Sequence, residues 1–330
     1  MLFNISVFKQ CKASKPVICV GNLSMGGTGK TPHVEYLVRL LSGKFDTATL
    51  SRGYKRKTRG FVLAGSSSSS RDIGDEPRQY KFKFPNLTVA VCEERCKGAQ
   101  KIIELKPATE VIILDDAFQH RSLKAGLYVM LTDYNNLFTR DHVVPSGTLR
   151  EFRCGARRAD VIVVTKCPET LSGSERKKIT EEINPADNQQ VFFSYITYGS
   201  LVPLNNAEVE ENIHNFDTAL LFSGIANTRP LNQYLINNKY SVHTLHFSDH
   251  HQFSSQDLIN IRTTFNNIAK KNSVIITTEK DAMRIDTPEQ QAILKNLPVY
   301  YLPIYVEFFP SDKEMFNKII LNYVANAGKN

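Results

Sequence analysis

Glycines, a lysine and a threonine fall at the spacing a phosphate group requires in Gly21-Asn22-Leu23-Ser24-Met25-Gly26-Gly27-Thr28-Gly29-Lys30-Thr31-Pro32. Glycines let backbone N–H groups turn toward phosphate oxygens, and the start of a helix adds positive potential. The cradle is assigned to Ser24, Met25, Gly26, Gly27, Thr28, Gly29, Lys30 and Thr31. Lys30 is expected at the β- and γ-phosphates, and the Thr31 hydroxyl at Mg²⁺. Pro32 suits a first helical turn, where its missing N–H is not needed. The usual pattern wants glycine where this chain has Ser24, so the loop is a variant. A glycine-rich β–α turn with a chance Gly-Lys-Thr is the alternative.

A hydrated metal beside such a loop needs a carboxylate at the tip of a second strand. Val111-Ile112-Ile113-Leu114 ends in two, Asp115 and Asp116, which are the expected metal ligands with Thr31. An aspartate capping the next turn is the bland reading of that pair.

These groups must be carried by strands that end in loops. Pro16 to Val20 is an apolar run entering the glycine loop, and Val34, Leu37, Val38 and Leu41 follow at helical spacing. Thr47–Leu50, Leu87–Val91, Val111–Leu114, Leu127–Leu131 and Asp160–Thr165 read as further strands, with helical patterns between several of them. The alternation predicts an α/β fold, a P-loop NTPase-like domain with a mostly parallel sheet. Ala219–Phe222, Val242–Phe247, Val274–Thr277 and Val299–Leu302 repeat the rhythm as a second, smaller α/β domain. The polar stretch Asn205–Asn215 sets the expected boundary: residues 1–204 as the core domain, 205–330 as the domain closing the cleft. Gly65 with Ser66–Ser70 reads as a low-complexity turn.

A length of 330 residues allows two cores. The net charge of +8 favours an anionic partner without choosing among nucleotide, nucleic acid and acidic membrane. The six cysteines lack C-x-x-C spacing, which argues against a disulfide framework or a zinc site and for a reducing cytoplasm. No run approaches the ~20 apolar residues of a spanning helix, and the opening lacks the pattern of a signal peptide.

Beyond the cradle, Ser51-Arg52-Gly53-Tyr54, Gly74-Asp75-Glu76-Pro77, Asp115-Asp116-Ala117-Phe118-Gln119-His120, Pro145-Ser146-Gly147-Thr148-Leu149-Arg150-Glu151, Asp249-His250-His251 and Thr277-Thr278-Glu279-Lys280-Asp281 occur in order. This ordered set resembles the tetraacyldisaccharide 4′-kinase family over most of the chain. The resemblance implies transfer of the γ-phosphate of ATP, with Mg²⁺, to the 4′-hydroxyl of tetraacyldisaccharide 1-phosphate. It also implies work at the cytoplasmic face of the inner membrane, through peripheral contact with anionic lipid. The same resemblance makes Asp75 the catalytic carboxylate and His250 its dyad partner, with His251 a competing candidate. A carboxylate that accepts the hydroxyl proton late in phosphoryl transfer fits that chemistry. Arg150 and Glu151 match the family's Leu-Arg-Glu element, where an arginine can neutralise developing charge. Arg52, Arg95, Gln119 and His120 are the expected substrate-side residues, and Thr277–Asp281 either positions nucleotide or caps a strand end.

Relatives carry an amphipathic segment ahead of the first strand; here Leu2, Phe3, Ile5, Val7 and Phe8 resemble its remnant. Either the start is truncated or other surfaces engage the membrane, with the basic run Tyr54–Arg59 a candidate for anionic lipid or the 1-phosphate. A P-loop NTPase serving as a conformational switch or metallochaperone is the competing reading. Val164-Thr165-Lys166-Cys167 faintly resembles a base-recognition element, but Pro168 replaces the aspartate that element needs. Nothing interleaves aromatic and basic residues as a nucleic-acid module would, and a monomer is expected.

Overall fold

The computed structural model describes residues 10–204, 216–269 and 272–327. The apolar opening around Leu2–Phe8 and the linker at 205–215 lie outside the described residues. The chain divides into two compact units, one running to Thr197 and resuming at Tyr305, the other Tyr198–Ile304.

In chain order the first unit carries β1 (Cys11–Lys12), β2 (Val17–Asn22), α1 (Lys30–Leu41), β3 (Thr47–Ser51), β4 (Val62–Leu63), α2 (Ser70–Ile73), α3 (Asp75–Lys83) and β5 (Thr88–Val91). There follow α4 (Arg95–Leu105), β6 (Val111–Asp115), β7 (Leu123–Lys124), β8 (Leu127–Asp133), a 3₁₀ turn (Arg153–Arg158), β9 (Val161–Thr165), α5 (Gly173–Ile183) and β10 (Gln190–Tyr198). The second unit holds β11 (Val202–Pro203), β12 (Thr218–Ser223), α6 (Arg229–Asn237), β13 (Ser241–His246), α7 (Ser255–Ile268), β14 (Ser273–Thr278), α8 (Glu279–Ala282), α9 (Pro288–Leu294) and β15 (Val299–Leu302). The chain then returns to the first unit as β16 (Ile304–Phe308) and α10 (Pro310–Ala327).

The large sheet has the order β16-β10-β9-β8-β2-β6-β3-β5-β4. Its pairings from β10 to β5 are all parallel, and β4 closes one edge antiparallel. Both faces are covered, so alternate residues of one strand serve different cores: Val17 and Cys19 of β2 enter one cluster, Ile18 and Val20 the other. Helix α1 is held on the second of these by Val34, Leu37, Val38 and Leu41, all essentially sealed. Each such side chain contributes about 1.5–3 kcal/mol by burial. The second unit has a smaller sheet, β11-β15-β14-β12-β13, parallel but for β11.

Two expectations need correction. The stretch from Tyr305 belongs with the first unit, not with 205–304, because its apolar residues complete the core over α1. Phe308 stacks on Phe316 at 4.4 Å, both meet Tyr36, and the Tyr36 hydroxyl donates to Asn317 Oδ1 at 2.8 Å. Second, Cys11 and Cys96 form a disulfide across a separation of 85 residues. That distance along the chain hides the pairing from any spacing rule, and the compartment inferred from cysteine usage loses its basis. Ser69, inside the serine run, is also more than a turn: it caps α2 in a reciprocal box with Asp72.

Candidate functional site

The phosphate loop joins β2 to α1 at the carboxyl end of the parallel sheet, where open α/β sheets place ligands. Gly29 precedes the helix with φ 85° and ψ 26°, a left-handed conformation in which glycine avoids a Cβ clash. Asn22, buried at the strand end, donates from Nδ2 to Thr28 Oγ1 at 2.9 Å and so ties the loop's two ends. The tip is pinned by a neighbouring segment: Met25 N donates to Thr148 O at 2.6 Å, and Arg150 N donates to Leu23 O at 2.7 Å. Two separated sequence motifs thereby become one surface, with Arg150 carried beside the cradle. The 25–27 tip is exposed.

Charged groups line the open side. Lys30 Nζ lies 3.6 Å from Asp116 Oδ1 and donates to Asn22 Oδ1 at 3.4 Å. Arg150 Nη1 meets both Asp116 oxygens, at 3.0 and 3.2 Å, and Gln119 Oε1 at 3.4 Å. Gln119 Nε2 donates to Asn22 O at 2.7 Å and to Glu151 Oε1 at 3.0 Å, and Arg158 Nη2 reaches the same Glu151 oxygen at 2.6 Å. Lys30, Asp116, Arg150, Gln119 and Glu151 are therefore one network, and Glu151 is clamped within it by Gln119 and Arg158. Close approach of this segment to the loop depends on Gly21, where a Cβ would fall 2.6 Å from Phe118 Cβ.

Asp115 ends β6 in a buried position and accepts a hydrogen bond from the Tyr80 hydroxyl at 3.0 Å. Burial, then the neighbouring charges of Asp116 and Glu76, push its carboxyl up to about 7, against the opposing pull of Lys30. Asp75 is the first residue of α3, and that helix is tied down at three places. Buried Glu35 of α1 accepts from Gln79 Nε2 at 2.8 Å and from Lys83 Nζ at 2.6 Å, while Tyr80 reaches Asp115. Before Asp75, Gly74 has φ 95°, and a Cβ there would lie 3.2 Å from Tyr54 O and 3.3 Å from Gly53 Cα. The Ser-Arg-Gly-Tyr and Gly-Asp-Glu-Pro motifs thus meet backbone to backbone.

Of the substrate-side candidates, Arg52 is exposed, whereas Arg95 is buried and donates from Nη1 to Cys92 O at 2.9 Å and Glu93 O at 3.1 Å. His120 Nε2 pairs with Ser122 Oγ at 2.8 Å, and desolvation, followed by Arg95 and Arg52, lowers the imidazole to about 4, so it is neutral near pH 7. Within the basic run, Arg56 turns inward onto Glu93 at 2.6 Å, leaving Tyr54, Lys55, Lys57 and Arg59 exposed.

In the second unit, Thr278 caps α8 and donates to Asp281 Oδ2 at 2.7 Å. Asp281 pairs with Arg284 Nη1 at 2.7 Å, both fully buried, and Arg284 Nη2 lies 3.2 Å from His250 Nδ1. Guanidinium only donates, so Nδ1 is the acceptor and the imidazole carries its proton on Nε2. His250 itself has φ 60°, and its N–H donates to Gly224 O at 3.0 Å. His251 is occupied with Asp257 Oδ2 at 3.0 Å and packs on Phe247 and Phe253.

A family model described as tetraacyldisaccharide-1-P 4′-kinase matches residues 1–325. The chain belongs to the tetraacyldisaccharide 4′-kinase family. Among relatives of that name, one from Bacteroides thetaiotaomicron is 42% identical over all of this chain and 90% of its own length. Another, from Flavobacterium psychrophilum, is 43% identical over all of this chain and 93% of its own. A crystal structure of LpxK from Aquifex aeolicus in complex with ATP is 28% identical and superposes with a TM-score of 0.73, covering 98% of this chain and 93% of that one. The P-loop NTPase-like α/β fold expected from the strand–loop–helix pattern is thus the observed one, and the switch-NTPase reading has no support among these relatives.

Within this family member, several supporting residues carry no motif of their own. Tyr80 and Glu35 act through partners 35 to 48 residues away, Arg158 and Arg284 through carboxylates nearby in the chain, and Asn22, although inside the glycine-loop stretch, through Thr28 and Lys30. The Thr278–Asp281 stretch was visible, but its bonds run to Arg284 and thence to His250. Among the described residues no group of three or more His, Cys, Asp or Glu side chains could hold a metal unaided. A cation at Asp115 and Asp116 would have to share phosphate oxygens and the Thr31 hydroxyl, the donor set Mg²⁺ favours. The raised Asp115 carboxyl fits such a site, since a cation would offset the repulsion from Asp116 and Glu76. Among the described residues, no helix is long and apolar enough to cross a membrane.

Proposed function

We infer that this chain transfers the γ-phosphate of ATP to the 4′-hydroxyl of tetraacyldisaccharide 1-phosphate, and that its site residues divide the work as follows. The carrying observation is the continuous Lys30–Asp116–Arg150 array beside a phosphate loop whose ends are tied through Asn22. Backbone N–H groups of residues 24–31 and Lys30 bind the nucleotide phosphates. Mg²⁺, held by Thr31, Asp115 and Asp116 with nucleotide oxygens, would neutralise charge on the transferred group. Arg150 exchanges its contact with Asp116 for the phosphoryl oxygens as their charge develops.

Asp75 takes the proton of the attacking hydroxyl. The sugar oxygen bonds to the γ-phosphorus as the bond to the β-phosphate oxygen breaks, ADP departs, and the proton passes from the carboxylate to solvent. His250 keeps the assisting role that the family resemblance implies, and within its own unit its ring is oriented by Arg284. Glu151 and Gln119 position Arg150 and the strand end rather than meeting reactant directly. Arg52 supplies positive charge for a substrate phosphate; Arg95, being spent on two carbonyls, and neutral His120 shape that corner. Exposed Lys55, Lys57 and Arg59 suit peripheral contact with anionic inner-membrane lipid at about 1 kcal/mol per charge.

Detergent-solubilised protein is expected to pass ³²P from γ-labelled ATP to tetraacyldisaccharide 1-phosphate. Mg²⁺-dependent ATP hydrolysis without labelled lipid would overturn the kinase assignment. Asp75→Asn should lose turnover while keeping ATP affinity, and an unchanged kcat would remove Asp75 from the proton transfer.

A further inference from the structure

The rear of the phosphate loop is held by neutral groups that no motif marks. His33, in the first turn of α1, is buried; its Nδ1 lies 2.7 Å from Gly29 O and its Nε2 lies 3.0 Å from Ser194 Oγ on β10. The carbonyl can only accept, so the proton sits on Nδ1 and Ser194 donates to Nε2. Gly29 O also receives the His33 backbone N–H at 3.2 Å. One residue earlier, Thr165 Oγ1 of β9 donates to Thr28 O at 2.8 Å. Two successive loop carbonyls are therefore fastened from behind, Thr28 O by a side chain of β9 and Gly29 O by a side chain of α1 that is itself backed from β10.

A trans peptide points its C=O and N–H in opposite directions. Fastening Thr28 O and Gly29 O toward the protein interior consequently aims the N–H groups of Gly29 and Lys30 the other way, toward the open side of the loop. Gly29 needs this restraint most, because its left-handed backbone and lack of a side chain leave the adjoining peptide planes easy to turn.

We propose that His33, backed by Ser194, is a positioning residue for nucleotide: it locks the Gly29–Lys30 peptide with its N–H facing the phosphate, while Thr165 does the same for Thr28–Gly29. The inference rests on the assignment of this loop to ATP phosphates. The pairing demands a neutral ring, and burial, with a smaller contribution from the Lys166 charge, lowers His33 to about 4. Edge contact with Phe308 at 6.1 Å keeps the ring upright between its two partners.

The test is direct ATP binding by calorimetry, with kcat and KM for each substrate measured alongside. His33→Leu keeps apolar bulk and removes both bonds; it should weaken ATP about tenfold, the scale of one lost hydrogen bond plus misalignment. KM for the lipid should stay within about twofold. His33→Asn, which can still donate to Gly29 O, should recover most of the affinity, a rescue that a merely space-filling role would not give. Ser194→Ala should cost less than His33→Leu, and the double variant should be no worse than His33→Leu alone, since both act through one chain of bonds. ATP affinity unchanged in a folded His33→Leu protein would overturn the proposal, as would His33→Asn binding no better than His33→Leu. If His33→Leu fails to fold, Ser194→Ala and Thr165→Val carry the same reading, and wild-type affinity in both would overturn it. Absence of ATP binding in the unmodified chain would instead defeat the kinase assignment.

Discussion

Two arginine–aspartate pairs occupy opposite extremes of burial. In the second unit Arg284 meets Asp281 at 2.7 Å with neither side chain exposed; in the first, Arg150 meets Asp116 at 3.0 Å with 31% and 37% of the side chains exposed. The sealed pair is saturated: Asp281 also accepts from Gly224 N and Thr278, and Arg284 also reaches Gly224 O and His250. Its charges cannot be offered to a ligand without breaking those bonds, so it serves as architecture that sets one imidazole. The open pair lies beside Lys30 and faces water, where a pair is worth about 0–1 kcal/mol and exchange for a phosphate oxygen costs little. Similar chemistry yields a fixed frame in one place and an exchangeable contact in the other, because burial decides which partners can be surrendered.

The sharpest way to break that contrast is Arg284→Met. It strands a buried carboxylate and should cost about 3–5 kcal/mol in urea unfolding. Arg284→Met combined with Asp281→Leu should regain much of the loss; a single variant as stable as the parent would refute the architectural reading. At the open pair, Asp116→Asn should lower kcat roughly a hundredfold, about 2.7 kcal/mol of barrier. Its stability should shift by under about 1 kcal/mol, so a large loss in thermal unfolding would place Asp116 with the architecture instead.

Asp115 sits between these extremes, and pH exposes it. Its folded carboxyl is raised to about 7, above the unfolded value of about 3.9. Between those values the folded state holds the proton that the unfolded state has released, so its contribution to stability falls as pH rises from about 4 to about 7. Thermal unfolding of the nucleotide-free protein, compared with Asp115→Asn, should show that slope in the parent and its loss in the variant. Identical slopes would mean Asp115 does not titrate there. The smallest effect is expected at Glu151→Gln, which weakens the grip of Arg158 while leaving a donor–acceptor group beside Gln119. It should raise KM a few-fold with little change in kcat, on the order of 1 kcal/mol, and an Asp116-sized fall in kcat would move Glu151 from positioning into the chemistry.

How much of this was readable in advance depended on range. Apolar runs bounded by turn residues marked β2, β3, β5, β6, β8 and β9 within a residue or two, because parallel strands buried on both faces need continuous apolar sequence. The glycine loop and the twin aspartates were equally plain, since their chemistry is local in the chain. By contrast, β10 and β16 lie outside the strands that the sequence pattern marks, and the stretch from Tyr305 belongs with the first unit although it follows the second in the chain; an amphipathic helix shows which face it buries but not which core receives it. Cys11–Cys96 escaped for the same reason.

The sequence by itself determined the cradle, the strand ends that carry it and, through the ordered motifs, the family. Each of these is written in contiguous residues whose backbone preferences and reach act over a few positions. Only the tertiary structure decided that Arg150 lies against Asp116, that Glu35 holds the helix of Asp75, that Arg284 sets the proton on His250 and that His33 fastens Gly29. Those contacts join groups up to 48 residues apart, and His33 is backed in turn by Ser194, 161 residues further on. Their strength comes from desolvation and hydrogen-bond geometry, which exist only once the two faces of the sheet are closed.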